Sequence, residues 1–198
     1  MNTLDRKGHI GRTREVRKEE SSCGNTLNAE QAHPHVASYN DWVDFTLRDA
    51  DSRDFETLWR IDQQCFVQGI AYSRRELAAY MSLRGAFTIV LTDEESQILG
   101  FLVATTRRDG TGHVITIDVL PDARRLGIGS KLLSAAEERL RKLECHSVSL
   151  ETAVDNRSAL LFYKRHQYFT LKTVPRYYSN GVDALVLQKD LLSTAQAS

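Results

Sequence analysis

The sequence predicts a mixed α/β (α+β) domain, and three patterns carry that prediction. Short apolar or alternating segments, typical of β-strands, recur along the chain, and early ones form a hairpin. Between them lie segments whose apolar residues repeat at helical spacing. In the second half, strands and helices alternate. Hairpins followed by strand–helix–strand units predict a mixed sheet with helices on both faces.

Capping and turn residues set the bounds of these elements. Ser73 and either Asp155 or Asn156 are good helix N-caps, Gly85 ends a helix, and Pro121 stops a strand. The segment Gly110-Thr-Gly112 is predicted to make the turn before the strand that begins at residue 114. The predicted strands are 43–48, 87–92, 98–106, 114–120, 147–154, 168–174 and 184–188. The predicted helices are 52–66, 74–83, 130–143 and 157–165.

Composition excludes several classes of function. The 198 residues carry 26 basic and 26 acidic side chains, so no global field draws the chain onto nucleic acid or an anionic membrane. The three cysteines, Cys23, Cys65 and Cys145, contain no C-x-x-C pair, which argues against a disulfide framework or a zinc site. The chain has neither a secretory signal nor a run of about 20 apolar residues. We expect a cytoplasmic monomer or weak dimer without metal, nucleic-acid or membrane partners.

Polarity divides the chain into three parts. Residues 1–42 are polar and lack periodicity, which predicts a flexible N-terminal extension. A docking segment for a partner is the alternative interpretation of this extension. Residues 43–192 form the predicted folded domain, and residues 193–198 a short tail.

The most informative segment joins a strand to a helix. Residues 114–120 lead into Arg124-x-x-Gly127-x-Gly129, and an amphipathic helix follows directly. Free N–H groups at a helix start carry partial positive charge, glycines allow close approach, and Arg124 and Arg125 add cationic donors. A pyrophosphate group is the natural ligand of such a loop.

Two common nucleotide sites do not fit this loop. A P-loop ends in Gly-Lys-Ser/Thr, whereas Gly129 is followed by Ser130-Lys131 in the wrong order. A dinucleotide fingerprint needs Gly-x-Gly-x-x-Gly near the start of a domain. A glycine-rich turn with a chance arginine is the alternative without function.

Four segments in order resemble one family. The loop Arg124–Gly129 resembles the acetyl-coenzyme A signature of the GNAT superfamily, and 149–156, 159–163 and 176–185 resemble RimI-type N-terminal acetyltransferases. The resemblance covers about 43–192. It implies a GNAT fold, with a mixed, mostly antiparallel sheet of about seven strands and a splayed cleft for acetyl-CoA, the cosubstrate.

The resemblance also implies catalytic residues. Acetyl transfer to an amine needs a base for the amine proton and a proton for the departing thiolate. By resemblance, Glu151 is the base, directly or through water, and Tyr163 protonates the thiolate. A solvent-facing or ion-paired Glu151 and a core Tyr163 are the structural alternatives. Cys145, with no obvious base partner, is a small buried side chain rather than a nucleophile.

The implied coenzyme contacts combine the β-strand edge, the loop and the following helices. Backbone groups of 117–119 should pair with the pantetheine arm in a gap beside the strand at 147–154. Asn156 should both cap its helix and contact the coenzyme. The predicted contacts are Ile117, Asp118, Val119, Arg124, Arg125, Leu126, Gly127, Ile128, Gly129, Ser130, Asn156 and Tyr163.

The expected acceptor is the α-amine at a protein or peptide N-terminus. An α-amine has a pKa near 8 and a lysine amine near 10.4, so the neutral α-amine is more available by roughly 2.5 log units at neutral pH. Tyrosines suit peptide backbone contacts. By resemblance to the N-terminal branch of the family, Tyr177 and Tyr178 form one wall of the acceptor site, with Tyr178 favoured as the ligand contact, and a core position for one of the pair is the alternative. The predicted opposite wall is Phe66, Ile70 and Tyr72. A small amine or a lysine as acceptor, and a coenzyme-binding module without turnover, remain alternatives.

Overall fold

The computed structural model describes residues 44–66, 71–178 and 181–192. The predicted extension at 1–42, the tail at 193–198 and the acceptor residue Ile70 lie outside the described residues. In the part that is described, no helix is long and apolar enough to cross a membrane.

The described strands form one mixed sheet in the order β1-β2-β3-β4-β5-β7-β6. The single parallel pair is β4 with β5, and the other neighbours are antiparallel. The prediction of a mostly antiparallel sheet of about seven strands is confirmed. The strands are β1 Thr46–Asp49, β2 Ala86–Thr92, β3 Ile98–Thr106, β4 Thr111–Val119, β5 Ser147–Ala153, β6 Phe169–Val174 and β7 Ala184–Asp190.

Helices lie on both faces of the sheet, as predicted. Ser73 makes the capping box that its sequence suggests, and the Asn156 side chain accepts a hydrogen bond from the Ala159 amide at 3.1 Å. A short 3-10 turn, capped by Asp51, precedes the first helix. The helices are α1 Phe55–Cys65, α2 Arg74–Met81, α3 Ile128–Lys142 and α4 Arg157–Arg165.

Two apolar layers hold the helices against the sheet. On one face, α3 buries Leu132, Leu133 and Leu140 completely, and α4 adds Tyr163 to the same cluster. On the other face, α1 and α2 pack against β2, β3 and β4. Leu143, which the sequence places on the buried face of α3, is half exposed because it is the C-cap residue.

β4 begins earlier than the sequence predicts. Gly110, with φ +76°, makes the turn, whereas Gly112 is a paired strand residue opposite Thr106. A Cβ at Gly112 would lie 2.6 Å from Leu140 Cδ1, so the glycine makes room for α3. The prediction of a strand from residue 114 was therefore wrong at its start, because a packing glycine was interpreted as a turn.

The parallel pair β4·β5 is short and opens into a gap. The two strands pair at Thr111↔Ser147, Gly112↔Val148 and His113↔Ser149. Beyond this point, β4 continues beside β3 and β5 continues beside β7. The predicted splay between these strands is present, and it leaves backbone of β4 facing an open cleft.

Candidate active site

A cavity of about 570 Å³ lies where β4 and β5 have separated. Its walls are the end of β4, the loop before α3, the first turn of α3 and one face of α4. Every predicted coenzyme contact except Leu126 lines it. The side chain of Leu126 instead packs against the apolar cluster beneath α3.

Backbone amides of the loop are available to a ligand in this cavity. Arg125 and Gly127 both have positive φ, +66° and +79°, which turns successive amides to one side. Within the described residues, the amides of 125–130 have no hydrogen-bond acceptor. The Arg124 amide differs from our expectation, because it donates to the Pro121 carbonyl at 3.3 Å. The amides that follow it, with the α3 dipole, form a candidate anion site.

Cationic and polar side chains surround the same anion site. Arg124, Arg125 and Arg165 line the cavity, and Arg124 Nε also donates to the Val119 carbonyl at 3.3 Å. Ser130 Oγ and His166 Nε2 lie 2.9 Å apart at its edge. Burial is the main cause that lowers the pKa of His166. A phosphate-bearing ligand matches this set of donors.

Tyr163 projects from α4 into the cavity while remaining part of the core. Its side chain is 1% exposed, and its ring lies 5.5 Å from that of Tyr168 in an edge-to-face contact. Among the described residues the hydroxyl makes no hydrogen bond. Burial, and to a smaller extent the charge of Asp118, raises the pKa of Tyr163. The hydroxyl therefore stays protonated near neutral pH and can donate to a ligand atom.

Glu151 has a buried partner that our sequence analysis missed. His113 Nε2 lies 2.7 Å from Glu151 Oε2, and the two residues are 0% and 8% exposed. His113 occupies the last paired position of β4 and β5, so the pair sits at the base of the gap. Glu151 does not face solvent, and it does not line the cavity itself. Its catalytic role stays a prediction.

The predicted acceptor wall is only partly continuous with the cavity. Phe66 lines the cavity, whereas Tyr72, Tyr177 and Tyr178 do not. Burial is the main cause that raises the pKa of Tyr178, with smaller contributions from Tyr177, Glu151, Tyr72 and Tyr163. Each of these groups therefore lies within electrostatic reach of Tyr178. Tyr177 and Tyr178 pack against each other and against Ala153, at the end of the strand that carries Glu151.

Cys65 is a second residue of the site that the sequence did not indicate. It lines the cavity, and its Sγ donates to the Val119 carbonyl at 3.2 Å. Burial raises its pKa to about 12, which keeps the thiol protonated. Burial also raises the pKa of Cys145, in agreement with our assignment of that residue to the core.

Further lining residues could have been found from helical periodicity. Three lining residues of α4 and its C-cap, Ala159, Phe162 and His166, follow one another at spacings of three and four positions. Such spacing places them on one side of the helix. The lining residues that our sequence analysis did not predict are Cys65, Ala123, Ser158, Ala159, Phe162, Arg165 and His166. Among the described residues, no group of three His, Cys, Asp or Glu side chains could hold a metal ion.

Comparisons with known proteins agree with this architecture. The model of the "Acetyltransferase (GNAT) family" matches residues 41–168. An uncharacterised N-acetyltransferase of Methanocaldococcus jannaschii is 28% identical over 145 residues, which cover 72% of this chain and 90% of that protein. An N-alpha-acetyltransferase of Saccharolobus solfataricus is 25% identical over 161 residues, 75% of this chain and 94% of that protein.

A solved structure shares the fold. The ribosomal-protein-S18-alanine N-acetyltransferase of Escherichia coli superposes with a TM-score of 0.68 at 19% identity, covering 78% of this chain and 99% of that one. GNAT acetyltransferases use acetyl-CoA, and the cavity beside β4 offers donors for its phosphates. Because the family model spans well over half of the chain, this protein belongs to the GNAT acetyltransferase family and is an acyltransferase.

Proposed function

We propose that this protein transfers an acetyl group from acetyl-CoA to the N-terminal α-amine of a protein or peptide, as RimI-type enzymes do. One observation carries the proposal. A cavity lined by free loop amides reaches Tyr163 at one end of the β4·β5 gap, and the Glu151–His113 pair lies at the base of that gap. The similarity to an N-alpha-acetyltransferase along 94% of its length supports the choice of acceptor.

The phosphates of the coenzyme would bind at the start of α3. The amides of 125–130, together with Arg124 and Arg125, supply hydrogen-bond donors and positive charge at this point. The backbone of 117–119, no longer paired with β5, would hold the pantetheine arm as an added strand. The Val119 carbonyl already accepts two hydrogen bonds, from Arg124 Nε and Cys65 Sγ, so neighbouring groups of β4 must make most of that pairing.

Acetyl-CoA supplies the acetyl group as a thioester, which the acceptor amine attacks directly, so that a C–N bond forms and the C–S bond breaks. Glu151, directly or through water, accepts the proton that the amine loses. Tyr163 donates its hydroxyl proton towards the leaving sulfur. Burial disfavours the phenolate of Tyr163 and equally any thiolate formed in the same cavity, so positioning within hydrogen-bond reach decides the transfer.

His113 would keep Glu151 ready to act as the base. Within the described residues, His113 Nδ1 has no hydrogen-bond partner. An unpaired buried N–H costs more than an unpaired lone pair, so the tautomer with the proton on Nε2 is favoured. That tautomer donates to Glu151 Oε2 at 2.7 Å, which fixes the orientation of the carboxylate at the base of the gap.

Chemistry favours an α-amine over a lysine at this site. The α-amine needs only a modest base because its pKa lies near 8. Among the described residues that line the cavity, Asp118 is the only carboxylate, so little negative charge is present to steer a lysine ammonium towards the thioester. The buried tyrosines near Glu151 offer flat area and hydroxyls for a peptide backbone.

Mass spectrometry after incubation with acetyl-CoA tests the acceptor. A panel should pair peptides with free and blocked N-termini, and include lysine-containing peptides and polyamines. We expect acetylation of free N-termini alone. Modification confined to lysine side chains or to small amines would refute the proposed acceptor. Coenzyme binding without transfer to any amine would refute turnover itself.

Gly127→Ala should weaken coenzyme binding. Gly127 has φ +79°, and a Cβ at this position would meet nothing within 4 Å, so the substitution strains the loop without a clash. We expect a rise in the acetyl-CoA Kd of about tenfold, since a left-handed residue with a Cβ costs roughly 1–2 kcal/mol. Isothermal titration calorimetry measures the acetyl-CoA Kd of both proteins. Gly110→Ala, a positive-φ glycine in the β3–β4 turn, is the matched control and should leave Kd unchanged.

Tyr163→Phe should lower kcat by at least about tenfold, because it removes the proton donor and keeps the ring. The acetyl-CoA Kd should stay within about twofold, since packing around the ring is preserved. Tyr168→Phe is the control: its hydroxyl binds Glu137 Oε1 at 3.1 Å rather than facing the cavity. Equal kcat in the Tyr163 variant and the wild type would remove Tyr163 from the mechanism.

Substitutions of Glu151 and His113 should distinguish the loss of the catalytic base from the loss of the residue that holds it in place. Glu151→Gln should reduce kcat by about 100-fold through loss of the base. His113→Leu should reduce kcat by about tenfold, whereas His113→Gln, which keeps an N–H donor, should recover most of it. Steady-state kinetics with saturating coenzyme measures all three. Equal losses in the leucine and glutamine variants would show that His113 serves packing alone.

A further inference from the structure

The connection between α1 and α2 is anchored by a buried carboxylate that the proposed reaction does not use. Asp62 lies in the last turn of α1 and is 0% exposed. Its Oδ2 accepts hydrogen bonds from the Tyr72 amide at 2.8 Å and from Gln63 Nε2 at 3.1 Å. The backbone of a residue ten positions later in the chain is thus tied to the helix end.

Two hydrogen bonds from side chains of α1 also hold the carbonyl of the same residue. The Tyr72 carbonyl accepts from Trp59 Nε1 at 3.1 Å and from Gln63 Nε2 at 2.8 Å. Both backbone groups of Tyr72 are therefore bound by side chains of one helix. Such a set of bonds leaves the Tyr72 backbone little freedom to shift relative to α1.

Asp62 also holds the residue at the near end of the connection. Its backbone carbonyl accepts from the Phe66 amide at 3.2 Å, where the helix ends. The helix backbone thus holds Phe66, and the Asp62 side chain ties Tyr72 to the same turn; these are the two described members of the acceptor wall on this side of the cleft. Burying a carboxylate is unfavourable unless hydrogen bonds compensate, and the bonds from the Tyr72 amide and Gln63 Nε2 contribute to that compensation.

Of the two anchored residues, only one lines the cavity. Phe66 lines the cavity, close to where Cys65 contacts Val119. The Tyr72 ring packs 4.9 Å from that of Tyr80 on α2 and lies within electrostatic reach of Tyr178. A displacement of Tyr72 would change the space between α1 and the tyrosines of the β6–β7 side.

We propose that Asp62 is a positioning residue for the acceptor, which fixes Tyr72 relative to Phe66 and so sets the wall against which the amine-bearing chain binds. The inference rests on the proposed function, because it assigns Tyr72 and Phe66 to the acceptor. Asp62 itself is fully buried and touches neither substrate. Its effect is therefore expected in the acceptor KM and not in coenzyme binding.

The test varies both substrates for Asp62→Ala and Asp62→Asn. The alanine variant should raise the acceptor KM by about tenfold, with the acetyl-CoA Kd within about twofold, because the Tyr72 amide loses its charged acceptor. The asparagine variant keeps an accepting oxygen and should stay within about threefold of the wild type. Asp93→Ala is the matched control, since Asp93 binds the Gln97 amide at 2.8 Å in the exposed β2–β3 turn.

Trp59→Phe keeps the test decisive if Asp62→Ala does not fold. It deletes one donor to the Tyr72 carbonyl and should raise the acceptor KM by about threefold, again without a change in coenzyme Kd. An equal rise in coenzyme Kd, or an unchanged acceptor KM in a folded variant, overturns the proposal. If the wild type acetylates a lysine or a small amine instead, the proposed function fails. The acceptor KM of each Asp62 variant relative to that of the wild type, measured with that amine, then tests the role of Asp62 separately.

Discussion

The structure depends on the short register shared by β4 and β5. Their pairing ends at His113↔Ser149, and each strand then follows its other neighbour. A parallel pair that continued would satisfy the backbone of both strands and close the cleft. Because it ends, the edge of β4 at 117–119 faces a cavity instead of β5, and His113 and Glu151 meet at the base of the gap.

The two ends of the gap between β4 and β5 differ in the chemical groups that surround them. At the outer end, α3 begins with amides that have no acceptor among the described residues, and arginines surround them. At the inner end, the buried groups are tyrosines, an imidazole and a carboxylate. The two helices lie close together at Gly129, where a Cβ would make an ordinary contact with Phe162 at 3.5 Å. A ligand that combines an anionic head with a neutral reactive tail fits this polarity.

Local patterns predicted the fold and the loop, whereas long-range contacts hid part of the site. The loop from Arg124 to Gly129 could be interpreted from the sequence because its proposed function depends on consecutive backbone groups. His113 was not predicted as a site residue, because the neighbouring Gly112 suggested a turn. The glycine is needed instead for the packing of Leu140, which is a tertiary contact that the sequence does not show. The roles of Cys65 and Asp62 were not predicted for the same reason. Each residue forms a hydrogen bond with a partner at least ten residues away in the sequence. The roles of Glu151 and Tyr163 stay predictions.

The acceptor wall and the coenzyme strand are joined through the end of α1. Cys65 contacts the Val119 carbonyl of β4, and the adjacent Phe66 is held by Asp62, which also holds Tyr72. Neighbouring residues of one helix therefore fix the position of the acceptor wall relative to the strand that would bind pantetheine. Direct transfer between two bound substrates requires such a common reference, because small errors in the approach of the amine to the thioester are costly.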